Sequence, residues 1–184
     1  MNCYGGKDLA AAFRTVRKNT ILIAQDIPED KYSYRAAPDV RSVGELLTHI
    51  ALSTSFPYQF HAVDQATTMA GLDFPTLFAE YRAKESVRYN KEQTLELLRV
   101  KGEEWATWLD GLSDDFLAVN IAMPAGAPYA SKSRFEMVMS AKEHEMHHRG
   151  QLMLIERQLG IVPHLTREMQ ARFAAGAAAA AAQK

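Results

Sequence analysis

The chain has 184 residues, 47% of them hydrophobic and 23% charged, and carries a formal net charge of −1. That length suits one domain able to bury a stable core without cross-links, and the near-neutral balance supplies no field for a polyanion, so no nucleic-acid partner is expected. Cys3 is the only cysteine, which excludes an intrachain disulfide and a cysteine metal cluster; with no secretory leader and no uninterrupted apolar run of about 18 residues, a cytoplasmic protein without membrane contact is expected.

From Asp8 to Ile27, Leu9, Phe13, Val16, Ile21 and Ile23 recur at helical spacing and Pro28 closes the segment, a first helix. Residues 28–39 read as a long connection that wraps the bundle. Ser42 with Glu45 three residues later is a capping box, and Val43, Leu46, Leu47, Ile50 and Leu52 define a second helix that carries His49. Pro57 is expected to kink or end it. After a break at residues 71–75, residues 76–88 form a short additional helix. Asn90 caps a longer third helix whose inward side holds Leu98, Trp105 and Leu109, until Gly111 stops it. Residues 113–131 are irregular, with 117–123 as a short strand or hairpin arm.

A fourth helix runs from near Ser133 to Gly160, with Pro163 and His164 in a loop beyond it. The domain is expected to span residues 1–165, followed by an Ala-rich tail, 166–184, whose composition favours helix but supplies little specificity. Four helices of bundle length with few strand signals predict an all-α fold, an antiparallel four-helix bundle with a long first connection.

The fourth helix contains the run His144-Glu145-Met146-His147-His148-Arg149-Gly150-Gln151. Positions i and i+4 of a helix differ by roughly 40° around the axis, so His144 and His148 share a face and can converge on one ion. A divalent metal needs further donors from another segment. His49, in the apolar stretch Leu-Leu-Thr-His-Ile-Ala-Leu, is the natural third. Alone it reads as a core histidine satisfied by a carbonyl or carboxylate; beside the helical pair it completes a facial three-nitrogen set suited to Zn²⁺, Ni²⁺ or Fe²⁺ that leaves positions open for water or substrate. Glu45, one turn before His49, is placed to accept its ring N–H, a role that competes with its capping function. Gln151 is expected to hydrogen-bond near the site, and Gly150 to permit close helix packing.

A histidine on the second helix paired with H-x-x-x-H-R-G-Q on the fourth resembles the DinB/YfiT-like four-helix-bundle metalloproteins, over roughly Asp8 to Gly160. The resemblance implies that His49, His144 and His148 are the metal ligands and His147 a non-ligand. It also implies a small-molecule substrate, a homodimer, and a metal that activates a low-molecular-weight thiol as co-substrate for transfer to electrophiles or for isomerisation. Many relatives have no known reaction, and a non-catalytic metal-binding or stress-associated protein is the alternative.

The same run is also H-E-x-x-H, and Glu168 lies twenty residues after His148, near the third-ligand spacing of thermolysin-like zinc proteases, with Glu145 as general base. Against that reading, such enzymes hold an extended peptide on an edge strand, and this chain has almost no strand signal. The metzincin extension fails because Gln151 and Leu154 occupy its Gly and third-His positions. A di-iron bundle needs a second E-x-x-H, which Glu45 to Thr48 does not supply.

Overall fold

The computed structural model describes residues 4–182, and Cys3 and the last two residues of the tail lie outside them. Helix α1 (Gly6–Asp26) starts where Asp8 accepts the Gly5 N–H at 2.9 Å, and it buries Leu9, Phe13, Val16 and Ile23 along one face. The long connection follows with one 3₁₀ turn, Glu29–Lys31, and is tied back to α1 by the Tyr32 hydroxyl, which donates to the Ala24 carbonyl at 2.9 Å. The predicted capping box opens α2 (Val43–Leu52): Ser42 Oγ accepts from the Glu45 N–H, and Glu45 accepts from the Ser42 N–H at 2.9 Å.

The chain departs from expectation at Pro57. The second helix stops at Leu52, five residues earlier, and Pro57 instead falls in the first turn of a short helix α3 (Ser55–Tyr58). There its missing N–H has no intrahelical acceptor to deprive. A π turn at Gln59–Val63 then buries Phe60 and His61. Helix α4 (Phe74–Glu85) begins two residues before the predicted start, because Asp73 caps it by accepting from the Thr76 N–H at 3.1 Å. Helix α5 (Lys91–Asp110) has the expected Asn90 cap, closed by Gln93.

A short α6 (Asp114–Ala118) leads into β1 (Asn120–Ala122), antiparallel to β2 (Ser131–Ser133), so the predicted hairpin arm exists but is three residues long. Helix α7 (Arg134–Gln158) starts at the Ser133 and Glu136 capping box and ends before Gly160, whose φ of +77° suits glycine. His164 is not in a loop: it opens α8 (His164–Ala182), where Pro163 and His164 are buried and the residues described beyond Arg167 are exposed.

Helices α1, α2, α5 and α7 form the bundle, α1 packing chiefly on α5 and also on α7, with α2 against α5. One apolar cluster joins Ile23, Val43, Leu47, Ile50, Leu98 and Leu152, and a second joins Leu9, Phe13, Trp105, Leu109 and Val138. Between them lies an ion pair shut away from water: Arg17 is 4% exposed and Glu145 0%. Arg17 Nε donates to both Glu145 oxygens at 2.9 and 3.0 Å, Nη1 to the Leu98 carbonyl at 2.7 Å, and Nη2 to the Ile50 carbonyl at 3.3 Å. One guanidinium therefore binds all four bundle helices. Gly102 makes room for it, since a Cβ there would lie 2.7 Å from Arg17 Cγ.

Removing one partner of a buried pair strands the other charge without water. Arg17→Met is thus expected to cost about 3–5 kcal/mol of folding stability, read as a lower urea midpoint; a loss below about 1 kcal/mol would show that the pair is not the clasp described.

Candidate metal centre

His49 projects from the middle of α2, and His144 and His148 project from one face of α7. Their Nε2 atoms meet: His49 to His144 is 3.2 Å, His49 to His148 is 3.2 Å, and His144 to His148 is 3.1 Å. Among the described residues these three form the group of His, Cys, Asp or Glu able to hold a metal ion. Two nitrogens bound to one ion at about 2.0–2.1 Å stand about 3.0 Å apart at a right angle and about 3.4 Å apart at the tetrahedral angle, so the observed triangle fits a facial set.

The opposite ring nitrogens decide which way the lone pairs point. His49 Nδ1 lies 2.6 Å from Glu85 Oε1, and a carboxylate only accepts, so Nδ1 carries the hydrogen and Nε2 the lone pair. His148 Nδ1 lies 2.8 Å from Gln151 Oε1, with the same result. Gln151 is held in that sense because its Nε2 faces His147 Nε2 at 3.3 Å. Two lone pairs thus face each other at 3.2 Å, an arrangement that a shared cation stabilises and that no hydrogen bond can. Burial first, and then the His148, His49 and His147 rings and Arg41, push His144 down to about 4. His148 is also lowered, again chiefly by burial, with Gln151 acting in the opposite direction. Neutral imidazole is the form that ligates a metal.

Several expectations need correction. Glu45 does not reach His49; its carboxylate caps α2 and pairs with Arg35 at 2.7 Å. Glu85, at the end of α4, takes that place, and sequence reasoning missed it because nothing local links residue 85 to residue 49. The one available signal was that Tyr81 and Glu85 share a helix face, and Tyr81 anchors that face by donating to the Leu52 carbonyl at 3.1 Å. Gly150 packs against nothing: a Cβ there would meet open space. Glu145 is no base at the site, because its carboxylate is consumed by Arg17. Glu168 sits exposed on α8, 4.0 Å from Arg172, outside the histidine group. The protease arrangement is therefore not built. His61, stacked on Trp108, and His164, 3.3 Å from Asn19, stand apart from the centre as expected.

Two cavities open on the rings. One, of about 510 Å³, is lined by His49 and His144 together with α4. The other, of about 500 Å³, is lined by His148 and Gln151, with Val40, Leu46 and Leu154. Arg41 borders both.

The family model described as the DinB superfamily matches residues 12–152. The chain belongs to the DinB superfamily. Solved structures of similar fold include the DinB-like protein YjoA of Bacillus subtilis, 23% identical, covering 83% of this chain and 92% of that one, with a TM-score of 0.57. YfiT of Bacillus subtilis, described as a probable metal-dependent hydrolase with an unusual four-helix-bundle topology, is 12% identical over 85% of this chain and 88% of its own, with a TM-score of 0.64. A protein from Clostridium difficile 630 is 13% identical over 85% and 98%, with a TM-score of 0.67. No curated protein matches the sequence. The likeness to these solved structures covers 83–85% of this chain, and no helix among the described residues is long and apolar enough to cross a membrane.

His144→Ala and His49→Ala are each expected to abolish nearly all bound metal by elemental analysis, whereas His147→Ala keeps it. Glu85→Gln should weaken metal affinity about 10- to 100-fold while Glu45→Gln leaves it unchanged. As pH falls, protons compete for the rings; because burial lowers both His144 and His148, metal should be retained below the ordinary imidazole value of about 6.5 and be released only on further acidification. Equilibrium dialysis across that range measures it, and release complete by about pH 6.5 is the contrary result.

Proposed function

We propose that the chain is a mononuclear divalent-metal catalyst, with His49, His144 and His148 as ligands, that transfers a low-molecular-weight thiol to a small electrophile or uses that thiol in an isomerisation. The observation that carries this reading is the meeting of two cavities at one three-histidine cluster, one against His49 and His144 and the other against His148. A reaction of two substrates needs two adjoining spaces and one activating centre between them. Zn²⁺, Ni²⁺ and Fe²⁺ all suit a three-imidazole set.

A divalent ion there supplies Lewis acidity, making a thiol or water acidic enough to act as a nucleophile at neutral pH. The residues of the chain do the rest. Glu85 holds the His49 ring by Nδ1 and Gln151 holds the His148 ring by Nδ1, so both rings present a lone pair inward. Arg41 lies 3.4 Å from Glu85 and supports the carboxylate that orients His49. The apolar wall of the cavity beside α4 excludes water from an electrophile bound there.

A second reading is supported by the fold shared with YfiT, the probable metal-dependent hydrolase: water rather than a thiol is then the nucleophile. A non-catalytic metal-binding role is disfavoured by the cavities, since a purely structural site is closed. The discriminating assay incubates the metal-loaded protein with an aryl halide or epoxide, with and without a low-molecular-weight thiol. Thiol consumption that matches electrophile loss and stops on chelation is the expected outcome. Equal loss of an ester substrate without thiol selects the hydrolase, and no turnover of either kind selects the binding protein.

A further inference from the structure

Helix α4 has the pattern of a core helix, yet of its apolar stripe it is Phe74, at its start, that packs on a core cluster, that of Phe60, Met69 and Ile121. Phe74, Leu77, Phe78 and Tyr81 recur at i, i+3, i+4 and i+7, an apolar stripe of the kind that ordinarily faces a protein interior. Yet α4 buries none of its residues, and Phe78 is 59% exposed. All four stripe residues line the 510 Å³ cavity instead. The helix is held at that distance from the bundle by two polar anchors, Tyr81 on the Leu52 carbonyl and Glu85 on His49. An apolar face kept open beside the histidine cluster is a surface for a ligand's apolar body.

The charges lining the same cavity are unequal. Arg41 and Arg82 contribute two guanidinium groups, and Glu85 is the single carboxylate. That carboxylate is engaged by His49 at 2.6 Å and Arg41 at 3.4 Å. No ion pair or side-chain hydrogen bond of the Arg82 guanidinium occurs among the described residues. The cavity volume lies within the roughly 300–1,000 Å³ of small-molecule sites, and arginine suits a carboxylate because its planar fork matches two oxygens.

We infer that the cavity beside α4 binds a small amphipathic carboxylate, its aryl or alkyl body along the Phe74, Leu77 and Phe78 stripe and its anionic end at Arg41, with Arg82 at the same wall. This names the substrate class of the proposed catalyst and rests on that reading for its catalytic meaning, although the binding itself needs only side chains of this chain.

The test is calorimetric titration of the full chain with 4-phenylbutyrate and with its neutral counterpart, 4-phenyl-1-butanol, before and after chelation of metal. The acid is expected to bind in both states and at least about tenfold more tightly than the alcohol, as a charged hydrogen-bonded pair implies. Arg41→Met should weaken the acid about tenfold and leave the alcohol unchanged; Phe78→Ser should weaken both. Equal affinity for acid and alcohol, or undiminished acid binding in both Arg41→Met and Arg82→Met, overturns the inference, as does acid binding that disappears with the metal. Elemental analysis on the same samples separates the two ideas: acid bound by a protein that takes up no metal sinks the metal catalyst alone, and a metal-loaded protein indifferent to the acid sinks this inference alone.

Discussion

The Arg17 guanidinium sets the geometry on which the centre depends. It joins α1 to Glu145 of α7, to the Leu98 carbonyl of α5 and to the Ile50 carbonyl of α2. Ile50 is the residue after His49, and Glu145 is the residue after His144. Successive helix positions are about 100° apart, so pinning those two neighbours inward turns the histidines toward each other at the edge of the bundle. A buried pair of this kind adds little net stability compared with apolar packing; its value here is register. Sliding α7 by one residue against α2 would break the ion pair and separate the rings together.

The same clasp resolves the double meaning of H-E-x-x-H. In a zinc protease the glutamate of that motif works beside the metal. In this bundle the glutamate is turned about 100° away from His144, into the buried interior, and its two oxygens are filled by arginine. A motif defined by spacing leaves the direction of one side chain open, and a partner 128 residues away decides it.

Local signals carried the helices and their caps well: Ser42 with Glu45, Asn90 with Gln93 and the start at Ser133 are chemistry between residues three apart. The three histidines were legible for a related reason, since two share a helix face and the third is a polar residue in an apolar run. What sequence could not reach were the partners set by tertiary packing. Glu85 rather than Glu45 holds His49 because α4 folds across the end of α2. The interruption after Leu52 was anticipated only at Pro57, because the residues that end the helix carry no breaker. Arg17 and Gly102 were silent singly, and their meaning exists only as a pair across two helices, where a Cβ on residue 102 would come within 2.7 Å of Arg17 Cγ.

Helix α4 has a division of labour along its length that bears on how such a scaffold diversifies. Position 85 grips an imidazole, position 81 grips the α2–α3 junction and Phe74 packs on the Phe60, Met69 and Ile121 cluster, while positions 77, 78 and 82 line the cavity. Because Leu77, Phe78 and Arg82 belong to no core cluster, that part of the wall can be rewritten residue by residue without loosening the bundle or turning the His49 ring. New chemistry of recognition can therefore be acquired on one short helix, under almost no penalty in foldability, while the reactive centre stays as it is.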